Sequence, residues 1–123
     1  MLSPMARLLY VLNHATDLPE RAMTALLDAR AAAAAGHDVA LWLQNDGVRL
    51  GVTGVAETLR EPGPETAAEA LDTLTEGGAT LHCSARCFAG REFEEDALRA
   101  GAALASAASL AALVADGWIP ISM

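Results

Sequence analysis

Long hydrophobic runs are absent from this 123-residue sequence. A membrane-spanning helix needs roughly 18 to 20 consecutive apolar residues, whereas the longest candidate, residues 29–35, already contains Arg30 and ends at Gly36. Near the N-terminus the apolar run 8–12 is followed closely by His14, which makes it too short and too soon polar for a secretory signal. The sequence therefore predicts a cytoplasmic protein that does not enter the membrane.

Positive charge is also scarce. Eight Lys and Arg residues stand against 16 Asp and Glu, which gives a formal net charge of −8. The few cations form no stripe along any one segment, and a chain of this charge is repelled by a phosphate backbone. Direct binding of nucleic acid is excluded, and the expected partners are proteins or small molecules.

Several well-known catalytic motifs are missing. The sequence has no G-x-x-x-x-G-K-[ST] loop, no G-x-G-x-x-G after a strand and no G-x-S-x-G elbow, so neither nucleotide chemistry nor a serine hydrolase is indicated. His14, His82, Cys83 and Cys87 could supply four zinc ligands, but the single C-x-x-x-C spacing lacks the paired knuckles of structural zinc sites. We predict neither a metal nor a cofactor.

The remaining pattern is that of one compact domain over residues 1–123. Hydrophobic residues make up 53% of the chain, and apolar strand-like runs alternate with helical segments bounded by Pro, Gly and acidic residues. This alternation predicts an α/β fold, a three-layer α/β/α sandwich around a mostly parallel five-stranded sheet. The predicted strands are 8–12, 38–43, 79–83, 102–105 and 118–121, and the predicted helices are 19–35, 64–76, 94–99 and 107–115, with a loop and a short helix over 48–63.

Polar residues follow three of the predicted strands. In open parallel sheets, ligands bind beyond the carboxyl ends of the strands, where loops and helix N-termini converge. The residues at these positions are candidates for a binding rim: Asn13-His14, Gln44-Asn45-Asp46 and His82-Cys83.

The chain holds only two cysteines, Cys83 and Cys87. Cys83 lies at a predicted strand end that opens a helix, and Arg86 follows three residues later. Both features stabilise a thiolate and lower the thiol pKa from its usual value of about 8.5, which suits a sulfur nucleophile. The alternative is that the thiols only fill space, because free cysteine is among the most buried residue types. For Cys87 the two interpretations stay equally open.

The order of several segments resembles the DsrE/DsrF-like (TusD-like) family of small sulfur-relay proteins over nearly the whole chain. The matching segments are DLPERAMTALLDARAAAAAGHDVALWL, then NDGV, then a third strand ending in cysteine, then CFAGREFEEDAL, and finally GWIPIS. The resemblance implies an α/β sandwich that assembles into homo- or hetero-oligomers, commonly trimers or hexamers. It further implies that sulfur is carried as a cysteine persulfide between donor and acceptor proteins.

By the same resemblance, the reactive cysteine of the family falls on Cys83 and the second cysteine of some members on Cys87, while Arg91 matches the arginine of an Arg-Gly pair. This sequence departs from the pattern in two places, since three residues rather than two separate the cysteines and Glu92 replaces the glycine. Glutamate adds a negative charge that would raise the pKa of a nearby thiol.

The mechanism we expect begins with a Cys83 thiolate that accepts sulfane sulfur and passes it to a cysteine of a partner protein. Arg86 and backbone N–H groups would stabilise the anionic sulfur, and Cys87 would resolve the persulfide as a disulfide. Two alternatives stay open. One is a non-catalytic oligomeric binding or scaffold subunit with packing cysteines, and the other is a redox sensor that uses the two thiols as a reversible pair.

Overall fold

The computed structural model describes residues 5–61 and 63–123. Residues 1–4 and Pro62 lie outside the described part of the chain. Residues 1–4 belong to the N-terminal segment considered for a secretory signal and to the predicted single domain. Pro62 belongs to the segment 48–63, which was predicted as a loop and a short helix.

Five parallel strands form the centre of the fold. They pair in the order β4-β3-β2-β1-β5, so β4 and β5 are the edges and β2 lies in the middle. Their bounds are β1 Arg7–Leu12, β2 Asp38–Leu43, β3 Thr80–Ser84, β4 Ala102–Ala105 and β5 Ile119–Ser122. The predicted α/β class is confirmed, and the sheet is parallel throughout.

Helices cover the two faces unequally. Helix α1 (Pro19–Ala34) and helix α2 (Ala67–Glu76) pack on one face of the sheet, together with the short helix α3 (Ala85–Gly90) and a 3-10 helix over Asn45–Gly51. A second 3-10 turn, Glu95–Ala97, precedes β4. On the other face, α4 (Ala107–Ala115) is the one helix among the described residues, and it forms the third layer of the sandwich.

The central strands are buried on both sides, which explains their continuous apolar sequences. In β1, Tyr10 and Leu12 point into the large core beneath α1 and α2, whereas Leu9 and Val11 point toward α4. The smaller core beneath α4 also contains Ala40 and the fully buried Trp42.

Asp17 has the residue type of a helix cap and lies just before α1, but Leu18 occupies the N-cap position without a side-chain hydrogen bond. The Asp17 carboxylate instead accepts hydrogen bonds from the Ala15 N–H and from His14.

The polar residues after β2 begin the first 3-10 helix, and the left-handed residue there is Asn45, with φ 53°, rather than Gly47. Gly47 is required for space, because a Cβ there would overlap the carbonyl oxygen of Leu12.

Helix α2 starts later than predicted. Thr66, rather than a residue near Pro64, is its N-cap, and the Thr66 hydroxyl accepts a hydrogen bond from the Glu69 N–H. The segment predicted as a helix over 94–99 contains only the short 3-10 turn.

The close approach of Gly47 to β1 leads to a testable prediction. Gly47→Ala should lower the free energy of unfolding by about 1 to 3 kcal/mol because the new methyl group overlaps backbone that cannot rotate away. Gly90→Ala is the matched control: its Cβ would meet nothing within 4 Å, so a change within about 1 kcal/mol is expected. Urea denaturation measures both, and equal stabilities for the two variants would contradict the predicted overlap.

Candidate functional site

Asn13 connects three strands at the carboxyl edge of the sheet. Its Oδ1 accepts hydrogen bonds from Gln44 Nε2 and from Asn45 Nδ2, both at 2.9 Å. Its Nδ2 donates to Ser122 Oγ at 3.2 Å and to the Met123 carbonyl at 3.1 Å. The side chain of one residue therefore fixes the ends of β1, β2 and β5 relative to one another.

A second polar cluster surrounds Asp46. Its Oδ2 accepts from the Asp17 N–H at 3.1 Å and from Thr16 Oγ1 at 3.3 Å, and its Oδ1 accepts from Arg49 Nε at 2.8 Å. His14 Nδ1 lies 2.8 Å from Asp17 Oδ2. Burial alone would raise the pKa of Asp17, but its hydrogen bonds with His14, Ala15, Asp46 and Leu18 lower that pKa to about 2. These carboxylates are structural acceptors with their partners already in place.

Cys83 lies beneath the carboxyl edge of the sheet and has no exposed surface. Its side chain points into the large core, and a Cβ at Gly51 would overlap its Sγ, so the sulfur packs directly on the 3-10 helix. Burial raises the pKa of the Cys83 thiol to about 12. The expected lowering of this pKa is therefore wrong, because the side chain turns inward and loses solvation.

Cys87 occupies the first turn of α3 in a different environment. It keeps 8% of its surface exposed. Burial by itself raises the thiol pKa, but the Ser84 hydroxyl and the Asn45 backbone N–H hydrogen-bond to the sulfur, and Arg86 and Arg91 add positive potential. Together these interactions lower the pKa of Cys87 below its ordinary value.

Two of these neighbours also hold the backbone of Cys87. Ser84 is the N-cap of α3, and its Oγ accepts the Cys87 N–H at 3.3 Å. Arg91 Nη1 donates to the Cys87 carbonyl at 3.3 Å. The backbone of Cys87 is thus held from both ends of the short helix.

His82 does not join this arrangement. Side chains alternate along β3, so His82 points toward the α4 face while Cys83 points toward α1 and α2. Its ring stacks on Trp42, with 6.0 Å between centroids, and its Nε2 hydrogen-bonds with Thr80 Oγ1 at 3.0 Å. Burial lowers the His82 pKa.

Among the predicted site residues, the structure brings Asn45, Arg86 and Arg91 to Cys87. Asp46 adjoins this group through Asn45, and His14 reaches Asp46 only through Asp17. Sequence analysis missed Ser84, although a serine three residues before Cys87 at a helix start is a recognisable capping pattern.

A groove of about 790 Å³ lies beside the N-terminus of α1, but neither cysteine lines it.

A family model supports the resemblance noted from the sequence. The model of the DsrE/DsrF-like family matches residues 6–122. The chain belongs to the DsrE/DsrF-like family. Within the described residues of this family member, no helix is long and apolar enough to cross a membrane.

Two solved structures have the same fold as this DsrE/DsrF-like protein. The ychN protein from E. coli superposes with a TM-score of 0.81 at 22% identity and covers 97% of this chain and 100% of its own. A protein of unknown function, MTH1491 from Methanobacterium thermoautotrophicum, gives a TM-score of 0.74 at 13% identity over 96% of this chain and 99% of its own. No curated protein sequence matches significantly.

The packing of Cys83 on Gly51 can be tested by a double-mutant cycle. Gly51→Ala should destabilise the protein by about 1 to 3 kcal/mol, because the added methyl group meets the Cys83 sulfur. In a Cys83→Ala background the same change should cost less, with a coupling energy of about 0.5 to 3 kcal/mol in urea denaturation. Additive effects would show that the sulfur does not occupy this space.

Proposed function

We propose that this protein is a sulfur-relay protein that carries sulfane sulfur as a persulfide on Cys87. The observation that carries this proposal is the contrast between two thiols four positions apart. Cys87 combines two hydrogen-bond donors with two nearby arginines, whereas burial raises the Cys83 pKa to about 12. Membership of the DsrE/DsrF-like family supports sulfur transfer as the chemistry.

The proposal exchanges the roles expected from the sequence. Cys83 was the expected carrier, but a thiol needs to be a thiolate to attack, and a pKa of about 12 leaves almost none near neutral pH. A lowered pKa gives Cys87 a larger thiolate fraction at pH 7. Cys83 then serves mainly as a packing residue beneath Gly51.

The transfer step moves one sulfur atom without net oxidation. The Cys87 thiolate attacks the terminal sulfur of a donor persulfide, a new S–S bond forms at Cys87, and the S–S bond of the donor breaks. The donor leaves as a thiolate. A cysteine thiolate of the acceptor protein then attacks the terminal sulfur in the same way and releases the Cys87 thiolate.

The Ser84 hydroxyl, the Asn45 N–H and the two arginines favour each anionic sulfur species. Both cysteines are free of disulfides, which suits a compartment that keeps thiols reduced, such as the predicted cytoplasm.

The proposed partners include further copies of this chain. Helix α4 contains no buried and no charged residue, and its Val114 is 43% exposed. Between residues 100 and 123 the only charged residue is Asp116, and it pairs with Arg7 at 2.7 Å. Two copies with a net charge of −8 approach most easily through such an uncharged face. The trimer or hexamer implied by the resemblance remains a prediction for this surface.

Intact-mass spectrometry tests the relay directly. The wild type, Cys87→Ser and Cys83→Ala are treated briefly with a persulfide donor. We expect the wild type and Cys83→Ala to gain the mass of one sulfur atom, and Cys87→Ser to gain none. Iodoacetamide should also alkylate Cys87 more than about a hundredfold faster than Cys83 at pH 7, because the thiolate fraction follows the pKa.

Each other outcome has a definite meaning. Sulfur gain that disappears only in Cys83→Ala would return the carrier role to Cys83 and contradict the assignment to Cys87. No gain in any protein, with both thiols slow to alkylate, would favour the binding or scaffold subunit. An intramolecular disulfide under mild oxidant would favour the redox sensor.

The oligomer prediction has its own test. Val114→Glu places a charge on the exposed face of α4, so we expect sedimentation equilibrium to shift from an oligomer toward the monomer. Ala31→Glu, an exposed position on α1, is the control and should leave the assembly unchanged. A wild type that is monomeric at micromolar concentration would contradict the proposal.

A further inference from the structure

The order of the strands reverses beside β1. The chain passes from β1 to β2, β3 and β4 in one direction across the sheet, whereas β5 returns to the opposite side of β1. Helix α1, which follows β1, packs on one face of the sheet, and α4, which precedes β5, packs on the other. In open α/β sheets a crevice forms outside the carboxyl ends of the strands at such a reversal, and ligands bind there.

The groove beside the N-terminus of α1 lies at this reversal. Its walls come from the residues that follow β1, from the end of β5 and from Glu61 in the segment before α2. Its volume of about 790 Å³ is within the range of roughly 300 to 1,000 Å³ that is typical of small-molecule sites. Strand topology and cavity volume therefore indicate the same place independently.

Leu18 lines this groove and departs from the usual pattern of a helix start. It occupies the N-cap of α1, where a serine or an aspartate would accept a hydrogen bond from a free backbone N–H, and it makes no side-chain hydrogen bond there. The residue does not belong to the core either, since it is 42% exposed. Departures from local sequence rules are expected at functional sites.

The groove combines apolar side chains with a hydroxyl donor. Leu18, Pro19 and Met123 supply the apolar surface, and Ser122 supplies the hydroxyl. Ser122 Oγ accepts a hydrogen bond from Asn13 Nδ2 at 3.2 Å, and in the described part of the chain its own proton has no acceptor. Asn13 also donates to the Met123 carbonyl at 3.1 Å, so one side chain holds this wall in place. The hydroxyl can therefore donate to an oxygen atom of a ligand.

The charges around the groove disfavour an anionic ligand. Glu20 and Glu61 line it together with one cation, Arg21. No ion pair in the described part of the chain includes any of these three residues, and the whole chain has a formal net charge of −8. A phosphate or a carboxylate would be repelled by this excess of negative charge, whereas an uncharged ligand would not.

We propose that this groove binds an uncharged small molecule that combines an apolar body with a hydrogen-bond-accepting oxygen, as a ketone does. Leu18 and Met123 contact the apolar body, and the Ser122 hydroxyl donates to the oxygen. The site is separate from the thiols, because neither cysteine lines the groove. It does not depend on the proposed sulfur transfer.

Three probes of similar size separate the contributions to binding. Acetophenone has an aromatic ring and a carbonyl oxygen, toluene has the ring without the oxygen, and benzoate has the ring with a charged carboxylate. Amide NMR spectra recorded while each probe is added to the wild type give its dissociation constant and the residues whose resonances shift. We expect acetophenone to shift resonances within residues 18–24 and 122–123 and to bind about tenfold more tightly than benzoate or better.

Leu18→Ser tests the apolar wall without weakening the helix. Serine is a good N-cap, so the free energy of unfolding in urea should stay the same or rise. Acetophenone should bind about fivefold more weakly or worse, because apolar contact area is lost. Met5→Ser is the matched control, since Met5 is also exposed but precedes β1 at the opposite edge of the sheet. It should leave the affinity unchanged.

Ser122→Ala tests the hydroxyl donor. Acetophenone should bind about threefold more weakly or worse to this variant, because its oxygen loses a hydrogen bond. The affinity for toluene, which has no acceptor, should not change. If Leu18→Ser fails to fold, this variant decides, and an unchanged preference for acetophenone over toluene contradicts the proposed donor.

Three further results would overturn the inference. The first is that no probe shifts the resonances of the groove residues. The second is tighter binding of benzoate than of acetophenone, because the groove would then select anions. The third is unchanged acetophenone binding in a folded Leu18→Ser variant, because Leu18 would then have no part in the site.

Discussion

Parallel pairing of the five strands is the constraint on which the rest of this structure depends. Strands that all run in one direction end along one edge of the sheet, and the segments that follow β1, β2 and β3 are therefore neighbours there. Asn13, Asn45 and Cys87 follow three different strands but meet in one polar region. None of these contacts would form if any of the three strands were reversed.

The sequence was sufficient to predict the fold class and most element bounds. The strand 102–105 and the helix 107–115 are confirmed as predicted, and each of the other strands differs from its prediction by no more than one residue at either end. These elements have strong local signals, in that apolar runs are bounded by caps and glycines. Helix α2 starts later than predicted because Thr66 is its N-cap. Several polar residues lie close together there, and composition does not show which of them caps the helix.

The candidate site was harder to predict because its chemistry depends on contacts between distant segments. The direction of the Cys83 side chain follows from strand alternation, but its burial depends on Gly51, which belongs to a different element. The position of Asn45 likewise depends on its hydrogen bond with Asn13, which follows a different strand. Sequence reasoning predicted that the residues after β1, β2 and β3 lie along one edge of the sheet, and the structure brings Asn45, Arg86 and Arg91 to Cys87 there. Sequence reasoning could not decide which thiol is solvated well enough to ionise.

The pairing of β5 with β1 has a consequence for how the chain folds. Leu8 lies opposite Ile119 and Val11 opposite Ser122, so contacts between residues from the two ends of the described chain complete the sheet. During synthesis, β1 has an unpaired edge until more than a hundred further residues have been added. Contacts this distant in sequence form late and slow folding. An apolar strand with an open edge also promotes aggregation, and chaperones would protect the nascent chain during that interval.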